Sequence, residues 1–97
     1  MGTYVVLVNF TDQGIHNVRE TTKRAAAAKE AAGKFGIQWT SVVWTIGQYD
    51  MVVTMEAPNE EAVMAFALAV GSGGNVRTQT LRGFNADAMN GILAKLG

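Results

Sequence analysis

Wherever this chain is rich enough in β-branched and aromatic residues to form a strand, apolar side chains fall on both sides of it. Successive side chains of a strand point to opposite faces, so a sheet with one face in water alternates apolar with polar. Here Tyr4, Val6, Val8 and Phe10 oppose Val5 and Leu7, while Met51, Val53 and Met55 oppose Val52, Thr54 and Glu56. In the segment between, strict alternation puts Trp39 and Val43 on one side and Val42, Trp44 and Ile46 on the other. Such a sheet needs a cover on each face: helices on one, and on the other either the last helix of the chain or a second copy. The stretch Ala62–Val70, apolar all the way round a helix, has the same implication. Association is the expected outcome, because a monomer rarely exposes an apolar patch of that extent.

The remaining segments supply the helices. After a strand over Tyr4–Phe10, Thr11-Asp12-Gln13-Gly14 has turn chemistry. From about His16 to Lys34 the chain is alanine-rich, with Glu20 spaced to reach Lys23 and Arg24, and Glu30 to reach Lys34. Val18, Thr22, Ala25 and Ala32 fall on the opposite side, where alanine lets a helix lie close on a sheet. Ile37–Ile46 and Asp50–Ala57 are read as strands joined by a hairpin through Gly47-Gln48-Tyr49. Asn59 is placed to cap a helix running to about Val70. A fourth strand spans Asn75–Phe84, and Asn85 is placed to cap a last helix with Met89, Ile92, Leu93 and Leu96 in one stripe. The order β-α-β-β-α-β plus a helix predicts an α+β, ferredoxin-like domain with a four-stranded antiparallel sheet. One domain over residues 1–97 is expected, its core at about 3–84 and the added helix at about 85–96.

Composition narrows the function classes. Charged residues make up 16% of the chain, low for a soluble domain, and eight basic side chains balance eight acidic ones. A nucleic-acid binder usually has a basic excess, so nucleic acid is not an expected partner. Without cysteine there is no disulfide, thiolate nucleophile or zinc–thiolate site. The opening residues show no basic stretch followed by a signal-type apolar run, and Val6 stands where a myristoylation signal has Ser or Thr. With no apolar run of membrane-spanning length, a cytoplasmic location without a membrane partner is expected.

Five side chains are candidate ligand-binding residues, each with a structural alternative. Tyr49 and Asp50 bring a phenol and a carboxylate to a sheet edge, and are equally the residues that stabilise a turn. Arg77 opens a polar stretch, Arg77-Thr78-Gln79-Thr80, which reads as a ligand floor or as the seam of an oligomer. Arg82, five residues on, must point to the other face. His16 is the single histidine; without a second one or a cysteine it makes no metal site, so no metal is expected. Trp44, like Trp39, offers a surface for stacking, or belongs to core or interface. The glycine-rich Gly71–Asn75 segment lacks the Lys-Ser/Thr of a phosphate loop and follows a helix instead of preceding one. No cofactor motif is present.

The turn Gly47-Gln48-Tyr49-Asp50 after Trp44-Thr45, together with Thr11-Asp12-Gln13-Gly14-Ile15 upstream and Gly74-Asn75-Val76-Arg77-Thr78 to Leu81-Arg82 downstream, resembles the GYD domain family of small bacterial proteins. The resemblance covers about Thr3 to Phe84 and leaves the last helix outside it. It implies a fold of the dimeric α/β-barrel kind, which agrees with the two-faced sheet, and implies no activity. Gln48 stands where many members of the family carry a charged or polar residue, and His16 where a basic one is expected. Three functions fit: an interaction protein acting as a homo-oligomer, a binder of a small apolar ligand between sheet and helices, or a cofactor-independent enzyme resembling monooxygenases or isomerases of that architecture. Binding or interaction ranks above catalysis, because no nucleophile-and-base pair is evident.

Overall fold

In the computed structural model, which describes residues 1–97, four strands form one antiparallel sheet in the order β2-β3-β1-β4. They are β1 Gly2–Phe10, β2 Gln38–Trp44, β3 Met51–Ala57 and β4 Val76–Gly83. The helices are α1 Asp12–His16, α2 Thr21–Gly33, α3 Glu60–Ser72 and α4 Ala86–Ala94, with a 3-10 turn over Val18–Glu20. This succession and strand order are consistent with the ferredoxin-like arrangement. The core lies between the sheet and the α2–α3 layer, where Tyr4, Val6, Val8, Met51, Val53 and Met55 meet Ala25, Ala32, Val63 and Phe66. No helix is long and apolar enough to cross a membrane.

The helix expected from about His16 to Lys34 begins only at Thr21, after a 3-10 turn, and the segment expected as a turn, Thr11–Gly14, instead opens a separate short helix, α1. Thr11 caps it, its Oγ1 accepting from the Gly14 amide at 3.1 Å. Arg24 is not an ion-pair partner of Glu20: its guanidinium donates to the carbonyls of Asn17 at 2.8 Å and Gly14 at 3.3 Å, holding the two helices together. Glu20 keeps only Lys23, at 3.5 Å. Asn59 and Asn85 cap α3 and α4 as expected, accepting from Ala62 and Ala88 at 2.8 Å.

A bulge in β2 changes which residues face the helices. Trp39 pairs with Met55 and Val42 with Val53, while Thr40 is passed over and Ser41 pairs with Thr54. Opposed residues share a face, so Trp39, Val42 and Trp44 all lie on the helix side, and Val43 alone of these faces away. Strict alternation had split them otherwise. The hydroxyls of Thr40 and Ser41 both meet Thr54 Oγ1, which lets two consecutive polar residues point away from the core.

The second face of the sheet is left uncovered. It presents Val5 and Leu7 of β1, Val52 of β3, Val43 of β2 and Leu81 of β4 as one apolar patch. α4 does not fold back over it. Nothing on that helix is buried, Met89, Leu93 and Leu96 remain exposed, and it packs extensively on no other element.

Candidate functional site

The end of the sheet where β1 finishes is stitched by short polar contacts. Asp50 Oδ2 accepts from the Phe10 amide at 2.8 Å, and the Asp50 amide donates to the Val8 carbonyl at 2.8 Å. The carboxylate thus extends the β1–β3 pairing back beyond Met51, the first strand residue of β3. Gly47, in the loop before it, has φ +126°, a conformation open to glycine and strained for other residues. Across β1, the Thr11 amide donates to the Asn75 carbonyl at 3.0 Å, and Gln13 Nε2 reaches Gly73 O at 3.1 Å and Asn75 Oδ1 at 3.0 Å. Gly14 is buried against Asn75, and a Cβ built on it would lie 1.9 Å from the Asn75 carbonyl oxygen.

The five sequence candidates do not converge on one pocket. Tyr49 lies over the open face and donates to Gln79 Oε1 at 3.0 Å. Arg77, opposite Asn9, is on that same face, exposed and without an ion-pair partner. Asp50 is engaged by the β1 backbone. Trp44 lies on the helix side, its Nε1 donating to Thr21 Oγ1 at 3.0 Å. His16 is exposed at the end of α1. Arg82 is on the helix side as alternation requires, its guanidinium 5.2 Å from the Tyr4 ring centre and 4.7 Å from that of Phe84.

A cavity of about 340 Å³ lies elsewhere, between the sheet and α2–α3. Thr21, Arg24, Ala25, Ala28 and Ala31 line it from one face of α2, at the i, i+3, i+4, i+7 spacing of a helix. Val6, Val53 and Met55 form its floor, and Phe66, Ala67 and Val70 close it from α3. Alanine was expected to let α2 lie close on the sheet; here it leaves space unfilled. The cavity is partly open to solvent, so a small molecule can reach it. The polar stretch of β4 divides accordingly: Thr78 and Thr80 line the cavity, whereas Arg77 and Gln79 face outward. Sequence reading missed Arg24 and the alanines here. Their helical spacing was visible, but whether alanine closes a gap or leaves one depends on how far α2 is held from the sheet.

Such a domain combines an alanine-lined cavity inside its α/β sandwich with an open apolar sheet face outside. The chain belongs to the GYD domain family, whose model matches residues 4–93. The match thus includes most of α4, which the motif resemblance had left outside. The chain is also similar to the "glutamine synthetase and cystathionine beta-lyase binding protein" of Thermus thermophilus. The two are 30% identical over 82 residues, covering 84% of this chain and 86% of the relative.

Proposed function

We propose that this protein is an interaction module that pairs with a second copy of itself through its open sheet face and binds another protein through its helical surface. The similarity to a relative named for binding two enzymes, extending over 84% of this chain, carries the reading. The open face supports the pairing. Four strands ~4.8 Å apart and about eight residues long present a face of roughly 500 Å². Two such faces together reach the ~1,000 Å² expected of a specific interface. Arg77 lies toward one end of this face and Glu56 toward the other. A two-fold axis running across the strands between two sheets brings each Arg77 end against a Glu56 end. What remains for a different protein is the outer side of α3, where Met64 and Leu68 are 59% and 60% exposed. The cavity wall has no carboxylate, histidine or thiol, which favours binding over acid–base catalysis.

Two measurements test this. Light scattering at micromolar concentration should give twice the chain mass for the parent. The exposed-face pair Val43→Glu and Leu81→Glu should give a folded monomer, since the two residues are 52% and 43% exposed within one chain. A parent that stays monomeric at high concentration would remove the dimer. Biolayer interferometry against purified glutamine synthetase and cystathionine β-lyase from the same source should detect at least one of them, weakened by Met64→Glu. Binding to neither would end the extension from the relative to this chain.

A further inference from the structure

We propose that the cavity between the sheet and α2–α3 is a binding site for a small carboxylic acid with an apolar, preferably aromatic, body. The site is separate from the two protein-binding surfaces and does not depend on that reading. Its space is produced by small side chains, Ala25, Ala28 and Ala31 on one face of α2 and Ala67 on α3, where larger apolar residues would take up much of it. The volume of about 340 Å³ is roughly that of eleven waters, suited to a ligand of about ten non-hydrogen atoms. Water is a poor occupant, because few polar groups in the wall can hold it.

The two ends of the cavity differ in chemistry. Trp39 and Phe66 line it, their rings edge to face with centres 6.2 Å apart, and Trp39 pairs with Met55 toward the Tyr4 end of the sheet. Arg24, Asn75 and Thr78 also line it, and the Asn75–Thr78 segment begins β4 at the Phe10 end. Arg24 engages two carbonyls, and a guanidinium has five N–H donors, so donors remain. No carboxylate of the chain pairs with it, as the one ion pair is Lys23–Glu20. A cation beside an apolar cavity favours an anionic ligand group over a neutral one, because the hydrogen bonds are charge-assisted and the surroundings exclude water. The acid group therefore belongs at Arg24, and the apolar body extends between the alanines and the sheet toward Trp39 and Phe66.

Titration calorimetry with phenylacetate, phenylacetamide and acetate tests the assignment. Phenylacetate should bind with a dissociation constant of roughly a millimolar or tighter. The amide, which lacks the charge, and acetate, which lacks the body, should each bind at least about tenfold more weakly. Arg24→Gln should reduce the acid to the affinity of the amide. Because Arg24 also holds α1 to α2, a second variant is needed: Ala28→Met, which takes up part of the cavity, should melt at or above the parent temperature and bind phenylacetate at least about tenfold more weakly. No phenylacetate binding by the parent up to about 10 mM would overturn the proposal. So would equal affinity for acid and amide, or unchanged phenylacetate binding in Ala28→Met.

Discussion

Gly14 and Gly47 are both glycine by necessity, but for different reasons. Gly14 has no room for a Cβ, because the Asn75 carbonyl that receives the Thr11 amide occupies that space. Gly47 has room in plenty, with nothing within 4 Å of a built Cβ, and is constrained only by its backbone at φ +126°. Gly14→Ala must therefore push the α1 turn off the start of β4, and we expect a loss of at least about 2 kcal/mol. Gly47→Val should cost about 1–3 kcal/mol through strain alone. Urea melts of both variants check the order; an unchanged midpoint for either refutes its explanation. The turn chemistry at Gly47 was legible in sequence because it is local. Gly14 was not, since its constraint comes from a carbonyl 61 residues further along. The same holds for Asp50: a carboxylate after a turn is readable as turn chemistry, but its partner, the Phe10 amide, is set by strand register.

At the level of elements, the order of the strands and of the three longer helices was readable from local composition, whereas α1 formed on a segment that reads as a turn. The face assignment within β2 was not readable either. The run Trp39-Thr40-Ser41-Val42 has two polar residues between two large apolar ones, which breaks a period of two. The bulge resolves it by sending Trp39 and Val42 to the core and both hydroxyls to Thr54. Such a spacing is a usable sign of a bulge whenever both apolar flanks are too large to leave exposed. α4 is well formed, capped and amphipathic, yet buries nothing on its own chain. Truncation after Asn85 should therefore leave a monomeric protomer's stability within about 0.5 kcal/mol of the parent. A larger loss, measured by urea melts of the Val43→Glu, Leu81→Glu background with and without α4, would show that the helix supports the core.

The molecule as a whole is long for its size. Its radius of gyration is 14.5 Å, against about 12.5 Å for a compact chain of this length, and its extents are 52 × 30 × 17 Å. Both excesses come from elements without an intramolecular partner, the projecting α4 and the single sheet with one bare side. A chain with that shape was half legible: two-faced strands announced a missing cover, but the position of α4 depends on how β4 hands over to it. The alanine-lined cavity has a mechanical consequence as well. The cavity's 340 Å³, about 200 mL per mole, is partly open to solvent, so only the portion that water leaves unfilled adds to the ~20–100 mL per mole by which ordinary domains shrink on unfolding. Hydrostatic pressure favours whichever state takes up less room, so this fold should be soft to compression. Pressure-perturbed fluorescence of Trp39 and Trp44 should give an unfolding volume change toward the upper end of that range, and Ala28→Met should reduce it. Warming and urea probe how tightly the sandwich is held, whereas compression probes how much of it is empty.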